Sequence, residues 1–412
     1  MTTEGVQNGL PDGLRFEAVD ALRGFALAGI VVAHMVEQYI AAPRPPAVWQ
    51  IEPVASDGVI QLLMFLLVSG KFYSMFAVLF GMSFTIMMDK AQSKGQNFAG
   101  RFIWRLMVLL GFGIVHAAFY RGDILTGYVL IGLCLPLFYH LPNRWLLGIA
   151  GLLLVGVGQW CFYAFSGRVS LLPEAPAPDA PSVIAYVQTL RDGSFADVVA
   201  ANLTTGMLHK FDFLFGVFGR GYMTLGYFLV GVWLVRTGFL RDLNRHRKTL
   251  KRVMWWSLAL AVFFLAAMFG AFALMPDMIT FSQWKHVFGF SFYNYFSIAL
   301  TACLIAAFLR LFARRPEGRL KLLAPYGRMA LTNYVVQSLL GTFLLFGWGL
   351  GYLGRLHDWQ TLLIALVVIV FQVNLSRWWL SHFRYGPLEW LWRCGTYFRW
   401  MPFSRSPAAA AA

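Results

Sequence analysis

The chain has 412 residues, of which 58% are hydrophobic and only 13% are charged, and its mean hydropathy is +0.61. Soluble domains carry about 25% charged residues, because their outer surface faces water, so this composition excludes a soluble globule. The formal net charge is +15, but the basic residues lie between apolar runs, which excludes a nucleic-acid-binding domain. The fold class expected is all-α, a polytopic integral membrane helix bundle.

A bilayer core about 30 Å thick needs roughly 20 apolar residues per helix, and the sequence predicts ten such spans. The predicted spans are residues 20–41, 60–88, 104–121, 124–140, 145–166, 219–236, 253–275, 287–313, 329–351 and 359–380. Lys71 interrupts the long second span, so an interfacial helix followed by a shorter crossing is an alternative there. The chain divides into a polar segment over 1–17, one bundle over 18–400 and a low-complexity tail over 401–412.

Basic residues follow every second span, which predicts the topology by the positive-inside rule. The clusters follow spans two, six, eight and ten: Lys90, Lys94, Arg101 and Arg105; Arg236, Arg241, Arg245, Arg247, Lys248, Lys251 and Arg252; Arg310, Arg314, Arg315, Arg319 and Lys321; Arg377, Arg384, Arg393, Arg399 and Arg405. We therefore expect both termini in the cytoplasm and a multi-pass protein of the inner (cytoplasmic) membrane. The long connection 167–218 is then extracytoplasmic, either a lid or acceptor-binding cap or a surface loop packed on the bundle.

Motifs of soluble enzymes are missing from the sequence. The four cysteines are far apart and form no CxxC pair, and no Walker A, GxSxG, HExxH or dinucleotide-binding motif is present. We expect no metal, no bound cofactor, no ATP-driven pump and no standard hydrolase. No cleavable signal peptide precedes the first apolar run.

Polar residues inside apolar spans are the candidate site residues, because a buried charge in a bilayer needs a partner or a function. Arg23 and His34 are eleven residues apart in the first span, about 20° from three full turns, so they share a helix face roughly 16 Å apart along the axis. They would line one channel at two depths. His34 is a candidate catalytic residue, since a neutral imidazole takes up a proton near pH 7, or else a packed histidine that donates to a neighbouring helix.

The end of the third span adds a second candidate group. His116 and Asp123 are candidate catalytic residues, because a carboxylate that orients an imidazole forms a general-base arrangement. Arg121 lies between them as a candidate substrate-binding residue. The alternative is an interfacial turn in which Arg121 and Asp123 pair with each other.

Five further residues are candidates for substrate binding. Asn333 and Gln337 lie four residues apart on one face of the ninth span, where interhelical hydrogen bonding is the alternative. Arg328, at the cytoplasmic mouth, would hold an anionic group or extend to lipid headgroups. Arg23 and Lys71 complete the set.

Four segments carry a resemblance to a known family. They are Asp20-Ala-Leu-Arg23-Gly24; residues 71–81; His116 with Arg121-Gly122-Asp123-Ile124-Leu125; and the C-terminal quarter from 327–334 to 386–393. Through them the chain resembles the YeiB-like family of bacterial membrane proteins, also called domain of unknown function 418, over nearly all of residues 15–400. It is more distantly similar to the transmembrane acyltransferases, including the acyltransferase-3 family and the lysosomal heparan N-acetyltransferase. The acyltransferase-3 family carries an Arg-x10-His pattern in its first helix, and Arg23 and His34 match that spacing.

This resemblance implies a membrane-embedded acyltransferase that moves an acyl group from a cytoplasmic donor, with acyl-CoA as the candidate, to a hydroxyl or amine of an envelope glycan or lipid. His34 would be the general base or transient acyl acceptor, Arg23 would hold the anionic donor, and His116 and Asp123 would assist at the outer end. One alternative is a transporter or flippase of a small or lipidic metabolite that uses the same polar face. The other is a non-catalytic membrane protein that supports envelope assembly. Membrane lipids are expected partners and nucleic acid is not.

Overall fold

The structure is a computed structural model that describes residues 12–95, 99–173, 177–240, 242–275 and 284–405. Over these residues the chain consists of helices, turns and loops, with one isolated antiparallel bridge between Phe383 and Ser404. The all-α prediction is therefore confirmed. Most of the predicted polar N-terminal segment, part of the Pro-rich stretch in the long connection and the Ala-rich end of the tail lie outside the described residues.

Eighteen α-helices make up the described chain. The first eight are α1 (Asp12–Val36), α2 (Ala55–Leu63), α3 (Lys71–Gln92), α4 (Ala99–Phe119), α5 (Leu125–Gly132), α6 (Leu135–Phe138), α7 (Asn143–Val155) and α8 (Val157–Ser166). The long connection holds α9 (Pro181–Asp192), α10 (Phe195–Ala201) and α11 (Met207–Phe215). The remainder are α12 (Arg220–Arg236), α13 (Arg247–Leu274), α14 (Trp284–Arg314), α15 (Leu323–Arg328), α16 (Ala330–Leu345), α17 (Asp358–His382) and α18 (Pro387–Tyr397).

Six helical segments within the described residues are long and apolar enough to cross a membrane, or up to eight if each of two bent pairs counts as one span. Such a set is consistent with a multi-pass membrane protein. The count of ten crossings stays a prediction, because α5, α6 and α16 have only 8, 4 and 16 residues, fewer than a straight crossing needs. The cytoplasmic placement of both termini also stays a prediction.

Breaks divide several of the predicted spans. The long second span contains α2, a π-helical turn over Met64–Val68 and a break at Gly70, whose φ of +81° is left-handed. Glycine adopts this conformation without steric cost, so the chain turns there and α3 begins at the next residue. The predicted span 145–166 bends by 56° between α7 and α8. Residues Ala55–Gln92 nevertheless count as one candidate span of 38 residues, so an interfacial helix followed by a shorter crossing stays a prediction.

Glycines let the central helices pack backbone against backbone. A Cβ atom at Gly81 of α3 would lie 2.0 Å from the carbonyl oxygen of Phe228 in α12. At the crossing of α1 and α15, a Cβ at Gly24 would lie 2.3 Å from the carbonyl oxygen of Leu323, and one at Gly327 would meet α1 at 1.9 Å. Small residues at crossings permit this close approach in membrane bundles. The α1–α15 crossing brings the chain neighbours of these glycines, Arg23 and Arg328, to one cavity.

The bundle has two distinguishable ends. At one, called the basic end, Lys321 lies 3.5 Å from Glu17 near the start of α1. At the other, called the far end, Arg44 lies 3.0 Å from Asp358 at the start of α17. The long connection packs on the far end, where Asn202 donates to the carbonyl oxygen of residue 118 at 3.0 Å. This contact agrees with a loop that packs on the bundle.

Candidate functional site

Two cavities follow α1 through the bundle, one toward each end. The basic-end cavity has a volume of about 420 Å³ and is lined by Arg23, whereas the far-end cavity has a volume of about 600 Å³ and is lined by His34. Ile124 lines both of them. Arg23 and His34 therefore line two neighbouring cavities that share the lining residue Ile124.

Arginines dominate the polar lining of the basic-end cavity. They come from four separate parts of the chain: Arg23, Arg105, Arg328, Arg384 and Arg393. Arg23 donates to Asp20 at 2.6 Å and to the hydroxyl of Ser83 at 3.1 Å. In the described part of the chain, no ion pair joins any of the other four to a carboxylate. The cavity thus carries surplus positive charge.

Aromatic rings hold two of these guanidinium groups in place. The guanidinium carbon of Arg105 lies 3.6 Å from the ring centroid of Trp392, and that of Arg393 lies 4.6 Å from the ring of Tyr385. Stacking fixes the plane of a guanidinium but leaves its N–H groups available at the edge. Such groups bind phosphate with paired hydrogen bonds, so the cavity suits a phosphate-bearing ligand.

Glu389 is the second carboxylate of the basic-end cavity, and it is already engaged. It accepts hydrogen bonds from the backbone N–H of Leu331 at 2.7 Å and from the N–H and hydroxyl of Thr332 at 3.0 and 2.6 Å. Burial raises the pKa of the Glu389 carboxyl, although these hydrogen bonds act in the opposite direction. It therefore fixes the start of α16 and does not neutralise the arginines.

His34 lies in a cluster of tyrosine rings at the far-end cavity. Its ring centroid is 4.9 Å from that of Tyr120, 5.4 Å from Tyr39 and 6.1 Å from Tyr334. Its Nδ1 atom is buried and has no hydrogen-bond partner within the described structure. His34 therefore packs among aromatic rings, and its Nδ1 makes no hydrogen bond to a neighbouring helix in the described part of the chain.

His116 and Asp123 meet through a turn after α4. His116 Nδ1 lies 2.9 Å from Asp123 Oδ1, and both side chains are at most 1% exposed. Because a carboxylate only accepts, Nδ1 carries the proton and Nε2 is left as an acceptor. That Nε2 atom is buried without a partner among the described residues. His116 does not line either cavity; its ring lies 4.6 Å from Tyr334, on which His34 also packs.

Asp123 is the best-satisfied carboxylate of the site. It accepts from the backbone N–H groups of Leu125 and Thr126 at 3.0 and 2.8 Å, and Lys210 of the long connection lies 3.3 Å away. Burial alone would raise the pKa of this carboxyl. Lys210 and the hydrogen bonds from His116 and Thr126 outweigh burial and hold the pKa well below its usual range. Asp123 is therefore a fixed anion that orients His116.

A thin partition separates the two cavities. The backbone N–H of Ile124 donates to the hydroxyl of Tyr334 at 3.1 Å. Tyr334 lines the basic-end cavity, and Ile124 lines both. We call Ile124 and Tyr334, which this hydrogen bond joins where the two cavities meet, the partition.

The remaining predicted residues fall in different places. Arg121 lines the far-end cavity but donates to the carbonyl oxygen of Ala41 at 2.6 and 3.1 Å, so the alternative Arg121–Asp123 pair does not form. Lys71 lies outside the lining of both cavities, where it donates to the carbonyl of Phe65 at 2.6 Å. Asn333 and Gln337 line neither cavity.

Asn333 matches the alternative of interhelical hydrogen bonding. The side-chain Nδ2 of Asn333 donates to the hydroxyl of Ser376 in α17 at 2.9 Å. Its backbone carbonyl oxygen accepts from the side-chain amide of Gln372 at 3.0 Å. Gln337 is fully buried, and neither atom of its amide has a partner in the described structure. The backbone carbonyl oxygen of Gln337, in contrast, accepts a hydrogen bond from the hydroxyl of Tyr39 at 3.0 Å.

Several site residues were not predicted from the sequence. Lys210 pairs with Asp123, which lies 87 positions earlier in the chain, and no local pattern indicates that contact. Glu37 lines the far-end cavity one helical turn after His34, and this spacing was a usable signal. The sequence pattern of Arg105, Arg384 and Arg393 predicted only membrane topology, and not that these residues line a cavity.

Comparison with known sequences finds relatives that are themselves described as uncharacterized. Residues 234–399 match the family model described as protein of unknown function (DUF418). The chain is 26% identical to the uncharacterized protein YxaH of Bacillus subtilis (strain 168), covering 95% of this chain and 96% of that one. It is 29% identical to the uncharacterized protein YeiB of Escherichia coli (strain K12), covering 91% and 94%. The predicted resemblance to the YeiB-like family is confirmed, whereas similarity to acyltransferases stays a prediction.

Proposed function

The chain belongs to the DUF418 family of proteins of unknown function, and from its two cavities we propose that it is a membrane-embedded acyltransferase. The donor is a phosphate-bearing thioester of the acyl-CoA type, bound at the basic end. The acceptor is a hydroxyl or amine of an envelope glycan or lipid, bound at the far end. By the positive-inside rule the basic end faces the cytoplasm, in the inner membrane.

One observation carries this proposal: the arginine-lined cavity and the His34 cavity meet at Ile124. Arginines without carboxylate partners suit the phosphates of a nucleotide-like donor. The mostly apolar lining between them and Tyr334, which includes Phe80, Leu106 and Leu109, suits an acyl arm. A donor anchored by its phosphates would thus present its thioester near the partition.

The reaction needs one base and one leaving thiol. The acceptor hydroxyl gives its proton to the imidazole of His34 while its oxygen attacks the carbonyl carbon of the thioester. The resulting tetrahedral intermediate collapses with cleavage of the C–S bond, and the electron pair leaves with sulfur. The proton held by His34 then passes to the thiolate, which departs as the free thiol. General-base catalysis of this kind contributes about 10²–10⁴-fold to the rate.

His116 and Asp123 act as positioning residues in this scheme. The 2.9 Å hydrogen bond fixes the tautomer and orientation of His116, and both histidine rings pack on Tyr334 and Tyr120. A carboxylate that holds an imidazole in one orientation is the supporting half of a general-base system. The His116–Asp123 pair would therefore stabilise the positions of Tyr120 and Tyr334, the rings on which His34 packs.

A transporter or flippase is the second candidate, and the same partition favours it. Two cavities that meet at Ile124 also suit a translocation path in which Tyr334 and Ile124 form the barrier. A carrier would move an intact ligand past this barrier and would break no thioester.

Reconstituted liposomes separate the two candidates. Acetyl-CoA labelled in the acetyl group is supplied on one side and an extract of envelope lipid and glycan on the other. An acyltransferase leaves the label covalently attached to the acceptor and releases one free thiol per transfer. Intact labelled acetyl-CoA in the lumen with no thiol released supports a carrier and would contradict the enzyme.

A further inference from the structure

Arg220 is a buried cation at the far-end cavity. It begins α12, is only 6% exposed and lines the cavity. Its guanidinium lies near polarizable groups: the thioether sulfur of Met223 at 3.8 Å and the ring centroids of Phe213 and Phe290 at 5.9 and 5.7 Å. In the described ranges no carboxylate forms an ion pair with it.

The surroundings of Arg220 add positive potential. A guanidinium stays charged at every physiological pH, and burial of an ion without a counter-ion costs several kcal/mol. Arg220 occupies the N-terminus of a 17-residue helix, the positive end of its dipole. The buried ammonium of Lys71 also lies close enough for the two cations to repel. A bound anion would offset the cost of the buried charge, would interact favourably with the helix dipole, and would reduce the repulsion between Arg220 and Lys71.

Two acidic residues of the cavity, Asp123 and Asp212, are hydrogen-bonded to groups other than Arg220. Asp123 is held by His116, Thr126 and Lys210. Asp212 accepts from the backbone N–H of Leu171 at 2.6 Å. Glu37, the third acidic residue of the lining, forms no ion pair with Arg220 in the described structure. One terminal nitrogen of Arg220 donates to the sulfur of Met223, and no carboxylate of the described residues accepts from the guanidinium.

The chain leaves room beside the guanidinium. Gly70, with a φ of +81°, carries no side chain there, and a Cβ at that position would lie 3.7 Å from one terminal nitrogen of Arg220. The walls around it are aromatic, formed by Phe213, Phe218 and Phe290. Phe213 is 44% exposed, so this part of the cavity borders the apolar exterior of the bundle. A ligand here combines an oxyanion with an apolar chain.

We propose that Arg220 binds the phosphate of a lipid phosphate ester in the far-end cavity, with the chain of that lipid against Phe213 and Phe290. Calling this lipid the acyl acceptor rests on the proposed acyltransferase function. The binding site itself does not, because it would serve a carrier equally well. The lipid is either a membrane phospholipid or a polyprenyl phosphate, which share this chemistry.

Binding is measured with dodecyl phosphate on purified full-length protein in a neutral detergent. Wild type should bind it roughly 10- to 100-fold more tightly than dodecanol, as expected for a charge-assisted hydrogen bond. Arg220→Gln should abolish the difference, and Arg220→Lys should restore part of it. Arg168→Gln, at an exposed arginine of the long connection, is the matched control and should bind like wild type. Equal binding by wild type and Arg220→Gln would overturn the proposal.

Two further readouts keep the test decisive. Without ligand, Arg220→Met should raise the Tm, because it removes an uncompensated buried charge, whereas a purely structural arginine would lower it. Displacement of dodecyl phosphate by phosphatidylglycerol identifies a phospholipid, displacement by a polyprenyl monophosphate identifies that lipid, and displacement by neither overturns the lipid assignment. Loss of binding in Arg220→Gln without any acyl transfer in wild type would contradict the enzyme and leave this site standing.

Discussion

The backbone N–H of Ile124 donates a hydrogen bond to the hydroxyl of Tyr334 at 3.1 Å, and this bond lies where the two cavities meet. Ile124 directly follows Asp123, the residue that orients His116. One short turn, Asp123-Ile124, therefore supplies both the residue that orients His116 and the N–H group that is bonded to Tyr334 where the cavities meet. A change at the partition should alter both.

Tyr334→Phe tests the partition. It removes the acceptor of the Ile124 N–H, and an unsatisfied buried donor costs about 1–3 kcal/mol, so the Tm of the purified protein should fall. Tyr352→Phe, at a tyrosine that is 43% exposed, is the control and should leave the Tm unchanged. An unaltered Tm in Tyr334→Phe would show that the hydroxyl bond does not hold the partition.

Asp123→Asn tests the buried ion cluster. The folded-state pKa of Asp123 lies well below the usual aspartate value of 3.8, so its contribution to stability is present above about pH 3.8 and is lost as the pH falls further. At pH 7 the variant should lose roughly 3–5 kcal/mol of unfolding free energy, because Lys210 is left without its counter-ion. The deficit should shrink below pH 3.8, measured by denaturant unfolding at several pH values.

The exposed Asp179→Asn is the control for that series and should match wild type at every pH. A deficit in Asp123→Asn that stays constant from pH 7 to pH 3 would contradict the assignment of Asp123 as a charged partner in the folded state.

The arginines of the basic-end cavity should set donor affinity. Arg105→Gln and Arg393→Gln should each raise the KM for acyl-CoA with little change in kcat, because both act on the phosphates and not on the thioester. Arg23→Ala should do the same, and Arg23→Lys should recover only part of the affinity. The loss of acyl-CoA affinity in these variants should be larger at low salt, because the charge interaction in wild type is then less screened. A fall in kcat at constant KM would place these residues at the reacting centre instead.

Reporter fusions test the orientation. Fusions after residues 95, 245 and 318 should report the cytoplasm, because each follows a basic cluster, and a fusion near residue 180 should report the outside. The structure puts Lys321 and Glu17 at one end and the long connection at the other, so these four results depend on each other. An outside signal at residue 245 would reverse the proposed direction of transfer.

Hydropathy predicted most helices well, because a bilayer imposes length and apolar composition on each crossing. The predicted spans 219–236 and 359–380 lie within one or two residues of α12 and α17. Breaks inside an apolar run were harder to place. The bend between α7 and α8 follows the left-handed Gly156, which a hydropathy pattern does not register.

The candidate site was predicted in part. Helical spacing predicted that Arg23 and His34 share a face, and each does line a cavity along α1. Spacing did not predict where Lys71 points, since its ammonium lies among aromatic rings supplied by α14 and the preceding turn. Contacts such as Lys210 with Asp123 depend on how distant segments pack, and one sequence does not contain that information.

The most direct test of the central claim is thioester turnover by His34 variants. Purified protein is incubated with acetyl-CoA and an envelope lipid and glycan extract, and the release of free thiol is followed alongside labelled product. Wild type should release thiol in step with acetylated acceptor, and His34→Ala should lower kcat by about 10²–10⁴-fold with the KM for acetyl-CoA unchanged. The exposed His382→Ala is the control and should keep wild-type turnover. Equal turnover by wild type, His34→Ala and His34→Asn would contradict the account.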